Sequence, residues 1–210
     1  MPLTADDVQE RLSFARRRVA DLLVLNGGDL LGADPHERQM LIQEVFFHLV
    51  GAIEVFAQLV NEQRNLSQSS EDVSVSKIAG WLPAGDPLID AVDDLYANPR
   101  GQPLPADPHA DDGLLWRIWN YRHQVTHRMR EPLELRAAIN PAFTAISPEP
   151  SSDRFRRLLH RGDPPTQRSA HLILDPRDPA SAASDVSIDN ELAAMCDLVE
   201  SRLNAAIQAL

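Results

Sequence analysis

The residues best suited to do chemistry lie in one short stretch, residues 116–130 (WRIWNYRHQVTHRMR), where arginines and histidines alternate with apolar residues. Helical spacing places Arg122 on the same stripe as apolar residues, where a core side chain is expected. Because an unpaired buried guanidinium costs several kcal/mol, this arginine should line a cleft or have a carboxylate partner. Glu44 and Glu54 on an earlier helix are the partners that the sequence offers.

Three histidines accompany this arginine. His123 and His127 are four residues apart, so a helix places one above the other, and His48 interrupts the apolar stripe of a long earlier helix. Imidazole titrates near neutral pH and ligates transition metals, so these residues suit acid–base catalysis or metal binding. A lone histidine on an apolar stripe is more commonly a hydrogen-bonded core residue, which is the simpler interpretation of His48.

Length, charge and cysteine content exclude several classes of protein. A chain of 210 residues suits one domain with its own core, and a single cysteine, Cys196, excludes a disulfide framework or a multi-cysteine zinc site. The net charge of −11 argues against a general nucleic-acid coat protein. Residues 114–130 nevertheless contain four arginines and no carboxylate, which leaves room for a local anion site. With no apolar run long enough for a membrane span and no secretory leader, we expect a cytoplasmic protein without a membrane partner.

Four main helices should position these residues. Apolar periodicity predicts helices at residues 4–25, 35–65, 114–130 and 189–210, a shorter one at 87–96, and a short apolar segment at 78–82. Residues 132–187 are rich in Pro, Ser and Asp, which predicts an irregular insertion. It is expected to be either a functional flap or a partly mobile segment. Within it, residues 170–174 are predicted to form a strand that pairs with residues 155–159 as a β-hairpin. The prediction is one all-α domain over residues 1–210, a helical bundle with this insertion before the last helix.

Some other residues have simpler explanations. The run Arg16–Arg18 is flanked by carboxylates, which predicts a solvated helix face. Asp111 and Asp112 are the last residues of a proline-rich loop at residues 98–112 and are expected to cap the next helix. Trp116 and Trp119 are expected to fill the core or an interface rather than stack on a base.

The sequence YRHQVTHR at residues 121–128 resembles the signature of the HEPN superfamily of small α-helical bundles. That signature is an arginine, usually followed by a polar residue, and then a histidine a few positions later. Arg122 and His127 match it with four residues between them, and His123 occupies the polar position. The long helix at residues 44–62 and the order of the helices also resemble bacterial HEPN-like proteins. The resemblance covers residues 35–130 and, more loosely, the last helix.

The resemblance implies an RNA-directed function, since many members are metal-independent endoribonucleases of toxin or defence type that are active as homodimers. It implies that His127 is the acid–base residue, Arg122 the phosphate clamp and His123 a supporting polar group. This suits the chemistry, because imidazole can take the proton of a 2′-hydroxyl and guanidinium can stabilise the developing charge. No cofactor is implied, and the implied partners are RNA, a second copy of the chain and, for a toxin, an antitoxin. Further arginines are expected to support RNA binding: Arg117, Arg128 and Arg130.

Two other functions remain open. Some HEPN proteins have lost activity and serve as binding or assembly modules, so a non-catalytic interaction module is the main alternative. His48 together with His123 and His127 also resembles the three-histidine pattern of DinB-like metal-binding bundles, where three nitrogens leave an open coordination position. The metal alternative leaves Arg122 and the other arginines unexplained.

Helix geometry sets a condition on the nuclease hypothesis. Positions five apart on a straight α-helix point about 140° away from each other. Arg122 and His127 can therefore act together only if the helix deforms or if a second subunit contributes to the site. Dimerisation is accordingly part of the hypothesis.

Overall fold

A computed structural model describes residues 2–27, 34–127, 133–137, 168–178 and 181–210. The helices in these residues are α1 (Ala5–Gly27), α2 (Pro35–Gln63), α3 (Val75–Ile78), α4 (Leu88–Asp93), α5 (Asp111–His127) and α6 (Ile188–Ala209), with a 3₁₀ helix at Ala79–Trp81. Two short strands, β1 (Leu133–Ala137) and β2 (Arg168–Leu172), lie between α5 and α6. The described chain is mostly helical and its helices pack together, which confirms the predicted all-α bundle.

The first helix starts where the sequence predicts. The Asp7 carboxylate accepts hydrogen bonds from the backbone N–H and the hydroxyl of Thr4, at 2.7 and 2.8 Å, and these bonds lower the pKa of Asp7. Such a contact stabilises a helix N-terminus, because it gives a partner to a backbone N–H group that has none within the helix. α1 then runs to Gly27, two residues beyond its predicted end.

The second helix lies at the centre of the bundle and packs against α1, α3, α5 and α6. Asp34 caps its N-terminus by accepting a hydrogen bond from the backbone N–H of His36 at 2.9 Å, and Pro35 occupies the first turn. Its 29 residues correspond to a length of about 44 Å. Much of the predicted apolar stripe is fully buried: Val45, Leu49, Ala52, Phe56 and Leu59.

Residues 36–63 of α2 are long and apolar enough to cross a membrane, by length and composition. This corrects the sequence-based expectation that the chain has no such segment. The most apolar stretch has a mean hydropathy of 1.6, and half of it is buried inside the bundle. A helix that is apolar on most sides is also what the centre of a helical bundle requires, and α2 takes that position here.

The two strands form an antiparallel pair in which Leu133 lies opposite Leu172 and Ala137 opposite Arg168. The predicted strand is thus present, beginning two residues earlier than expected. The structure pairs β2 with β1, and the predicted partner, residues 155–159, lies outside the described residues. The sequence of β1, LELRA, alternates apolar and charged residues with the period of a strand. This strand, which comes shortly after the predicted helix at residues 114–130, was not predicted from the sequence.

The last helix closes the bundle against α1, α2, α4 and α5. Its predicted apolar face is buried at Leu192, Met195, Leu198, Val199 and Leu203. Cys196, predicted at the border of that face, is only 2% exposed, and burial raises the pKa of its thiol to about 12. A thiol with this pKa stays protonated near neutral pH and is a poor nucleophile.

Candidate functional site

The candidate site is built on α5. This helix begins at Asp111, three residues before its predicted start, so Asp111 and Asp112 lie in its first turn, where carboxylates favour the helix dipole. Trp116 and Trp119 are 2% and 4% exposed, as expected of core residues. Their indole N–H groups donate to backbone carbonyl oxygens that precede α5, at 3.2 and 3.1 Å. The two rings therefore anchor the N-terminal half of α5.

Arg122 is partly buried on the side of α5 that contacts α2. Its guanidinium carbon lies 5.6 Å from the ring centroid of Phe47, a side chain that remains 49% exposed. Burial raises the pKa of Glu54, and the nearby charge of Arg122 partly offsets this effect. Of the two predicted carboxylate partners, Glu54 is thus the one whose ionisation Arg122 affects. The other, Glu44, forms an ion pair with Arg18 at 2.8 Å.

Glu54 connects Arg122 to a third helix. Its carboxylate accepts a hydrogen bond of 3.0 Å from the backbone N–H of Val75, the first residue of α3. Glu54 therefore stabilises the start of α3 and lies within electrostatic reach of Arg122. This arrangement limits the freedom of the carboxylate and gives the guanidinium a fixed charged neighbour.

His127 is the last residue of α5, which is α-helical along its whole length. Positions five apart on a regular α-helix point about 140° apart and differ in height by about 7.5 Å. Because α5 is assigned as an α-helix through both positions, the nuclease hypothesis keeps a second subunit as its condition. The side chain of His127 lies outside the described part of the structure, as do Arg128 and Arg130.

The other two histidines lie on different helices. His123 is partly buried one turn after Trp119, with 6.4 Å between the ring centroids. His48 packs between Phe14 and Phe47, at centroid distances of 5.3 and 5.4 Å. Its Nδ1 atom is buried and has no hydrogen-bond partner among the described residues, so the hydrogen bond expected of a core histidine is absent at this atom.

The three-histidine metal hypothesis stays a prediction. No group of three potential metal-ligating side chains occurs among the residues that the structure describes. The hypothesis requires the imidazole of His127, which is not among them.

We expect the pKa of His48 to lie below about 6.5, the ordinary value for histidine. Burial lowers the pKa of His48 and the charge of Arg11 lowers it further, with Arg18 acting in the same direction and Glu44 against them. The unfolded chain then binds the proton more readily, so this histidine costs stability as the pH falls below about 6.5. An NMR titration of the imidazole checks the midpoint, and urea unfolding as a function of pH checks the sign. The variant His48→Phe should lose this part of the pH dependence, and a midpoint at or above the ordinary value would contradict the prediction.

The predicted role of Arg117 in RNA binding requires an accessible side chain, and Arg117 does not have one. Its side chain is fully buried and forms an ion pair with Glu191 of α6, which is also buried. The same carboxylate oxygen accepts a hydrogen bond from Ser184 at 3.0 Å and lies 3.3 Å from Nδ1 of His109. These contacts join α5, α6 and the loops that precede both helices. We therefore assign Arg117 to holding the bundle together and remove it from the candidate RNA-binding residues.

The three arginines of the run Arg16–Arg18 on α1 have different partners, which the sequence did not reveal. Arg16 pairs with two carboxylates of α6, and Arg18 pairs with one carboxylate on α1 and one on α2. Arg17 forms no ion pair within the described residues and lies over the ring of Phe14, 5.2 Å from its centroid. The spacing of one turn between Phe14 and Arg17 or Arg18 was the available signal, but it does not say which arginine covers the ring.

No protein-family model, curated protein or solved structure matches this chain. The functional assignment therefore depends on the residues of the chain and their arrangement.

Proposed function

We propose that this chain is a HEPN-like protein that acts on RNA as a homodimer and cuts it without a metal, through Arg122 and His127. The observation that carries the proposal is the position of Arg122, partly exposed near the C-terminal end of α5 and beside Phe47, with His127 following on the same helix. A guanidinium at this place can reach a phosphate from solution. It also has neighbours that orient it before the ligand arrives, which favours electrostatic catalysis.

The reaction is an attack of the RNA 2′-oxygen on the adjacent phosphorus. The new oxygen–phosphorus bond forms as the bond to the 5′-oxygen of the next nucleotide breaks, leaving a 2′,3′-cyclic phosphate and a 5′-hydroxyl. His127 of one subunit takes the proton from the 2′-hydroxyl, and His127 of the other subunit gives a proton to the departing oxygen. Arg122 offsets the negative charge that grows on the phosphate oxygens. The nucleophile belongs to the RNA, so DNA is not a substrate.

The proposal takes a homodimer as the active form, and the geometry of an α-helix supports this choice. Positions five apart on a helix point about 140° from each other, so in this proposal each phosphate contacts Arg122 of one copy and His127 of the other. If the two His127 residues lie beside the two-fold axis, they supply both an acid and a base, and Arg122 of each copy flanks them.

A non-catalytic interaction module is the second candidate, and Glu54 favours it. The charge of Arg122 acts to lower the pKa of Glu54. The same carboxylate accepts a hydrogen bond from the backbone N–H of Val75, the first residue of α3. In this alternative Arg122 braces α2, α3 and α5, and the surface around Phe47 binds a partner without reaction.

The purified protein is expected to cut a mixed RNA pool in the presence of EDTA. The variant His127→Ala should reduce the rate by about a hundredfold or more, because general acid–base catalysis contributes about 10² to 10⁴. The matched control is His36→Ala, which removes an exposed imidazole at the start of α2 and should leave the rate unchanged. Analytical ultracentrifugation of the same sample measures the oligomeric state.

Each result has a distinct meaning. Cleavage that EDTA abolishes would contradict the proposal and favour the three-histidine metal site. Cleavage that survives in His127→Ala would remove His127 from the mechanism, and an active monomer would contradict the shared site. If neither protein cuts RNA under any condition, the interaction module is favoured.

A further inference from the structure

We propose that a continuous surface of cations and rings across α1, α2 and α5 is a binding site for single-stranded RNA. We call it the basic–aromatic strip and define it by Arg17, Phe14, His48, Phe47 and Arg122. The proposal rests on the proposed function in taking RNA as the ligand. It goes further in assigning a path along which the strand lies before it reaches Arg122.

The strip is held together by four contacts in sequence. Arg17 lies 5.2 Å from the ring centroid of Phe14, and that ring lies 5.3 Å from the ring of His48. His48 in turn lies 5.4 Å from Phe47, and the guanidinium of Arg122 lies 5.6 Å from Phe47. Each group therefore touches the next, and the surface crosses three helices without interruption.

The members of the strip are accessible. Arg17 is exposed, Phe47 is 49% exposed, and the other three are partly exposed. Met40 is 46% exposed and precedes Phe47 by two helical turns, so it extends the apolar part of the surface along α2. An exposed phenyl ring beside a guanidinium is poorly explained by core packing, because neither group loses its contact with water.

The charge around the strip is favourable for an anionic ligand. Arg11 and Arg17 form no ion pair with any residue that the structure describes, and the charges of Arg11 and Arg18 both act on His48. Arg16, the sequence neighbour of Arg17, is by contrast neutralised by two carboxylates of α6. The chain is acidic as a whole, and Arg17, at one end of the strip, and the nearby Arg11 are cations without an ion pair among the described residues.

The combination of cations and exposed rings favours RNA over an acidic protein. Nucleobases stack on aromatic rings whatever their sequence, and guanidinium groups bind phosphates. An acidic peptide would account for Arg11 and Arg17 but would leave the exposed ring of Phe47 unused. Bases in a duplex are already stacked and paired, so the ligand should be single-stranded. Because the strip ends at Arg122, a bound strand would be led to the proposed cleavage site.

The test measures binding of a short fluorescein-labelled single-stranded RNA by fluorescence anisotropy. The RNA carries 2′-O-methyl groups, which block its cleavage, so binding is separated from reaction. Phe47→Leu keeps the apolar surface but removes the ring and should weaken binding about tenfold, whereas Phe47→Tyr keeps the ring and should bind like the wild type. Arg17→Gln should weaken binding about threefold at low salt and reduce the salt dependence by about one charge.

Two substitutions serve as charge-matched controls. Arg16→Gln removes the adjacent charge on a different face, and Arg100→Gln removes an exposed arginine between α4 and α5. Both should bind RNA like the wild type. Thermal melting by circular dichroism verifies that every variant is folded.

Failure of the strip and failure of the nuclease are distinguishable. Binding that is weakened in Phe47→Leu and Arg17→Gln but retained in His127→Ala supports the strip, even if the chain cuts no RNA. Equal binding by the wild type, Phe47→Leu and Arg17→Gln overturns the strip, while the cleavage assay on His127→Ala remains independent of that result. A wild type that does not bind RNA also overturns it. The strip is overturned as well if Phe47→Leu turns a dimer into a monomer without changing RNA binding, since the surface is then an interface between copies.

Discussion

Glu191→Gln is expected to lower the free energy of unfolding by about 3 kcal/mol, because it leaves the charge of Arg117 buried without a carboxylate. Arg117 is fully buried and Glu191 is 1% exposed, so water cannot take over the lost contact. The substitution also weakens the contacts of this carboxylate with Ser184 and His109. Urea denaturation followed by circular dichroism measures the change.

An exposed carboxylate on the same helix as Glu191 provides the control. Asp197→Asn removes a partner of Arg16 whose side chain is 69% exposed, and exposed pairs contribute at most about 1 kcal/mol. The double variant Arg117→Met with Glu191→Leu should be more stable than Glu191→Gln alone, since it leaves no unpaired charge in the core. If Glu191→Gln is no more harmful than Asp197→Asn, the ion pair does not hold α5 to α6.

Arg122→Ala is expected to slow RNA cleavage by about a hundredfold to a thousandfold, the usual effect of losing one group that stabilises transition-state charge. Its effect on stability should be no more than about 1 kcal/mol, because the contact with Phe47 is close to solvent. Arg122→Lys keeps the charge but lacks the planar fork that matches a phosphate, so it should recover little activity. Single-turnover cleavage rates and urea unfolding of the same preparations measure both quantities.

Arg100→Ala is the matched control, since it removes an exposed arginine between α4 and α5. It should change neither cleavage nor stability. Cleavage that persists in Arg122→Ala together with a clear loss of stability would assign Arg122 to bracing Glu54 and α3. That result would contradict the nuclease proposal and favour the interaction module.

These two predictions follow from a difference between buried and partly exposed positions of α5. Arg117 and Tyr121 are fully buried: Arg117 contacts Glu191 of α6, while the ring of Tyr121 stacks on Phe46 of α2 and its hydroxyl donates to the carbonyl oxygen of Ile173. Arg122 is partly exposed and lies over Phe47. We therefore expect substitutions at the buried positions to act on stability and substitutions at Arg122 to act on RNA.

Local patterns in the sequence are sufficient for the fold class and for most of the helix bounds. The apolar period of the four main helices, the Asp34–Pro35 start of α2 and the contact of Thr4 with Asp7 involve residues within a few positions of each other. Such signals depend on backbone geometry and act within one element, so they can be read before the elements are packed. The position of Arg122 near Glu54, one of its two predicted carboxylate partners, was expected for a different reason, namely the cost of burying a guanidinium without a partner.

The apolar period of α5 does not show which of its arginines is buried. Arg117 and Arg122 both have apolar neighbours at helical spacing, and the choice between them depends on Glu191, which is 74 residues from Arg117. Periodicity locates a side chain on one helix, but burial of a charge depends on whether a partner of opposite charge faces it across the interface. The pairing of β1 with β2 and the different partners of Arg16, Arg17 and Arg18 have the same origin, because each arises from contacts between elements that are far apart in the chain.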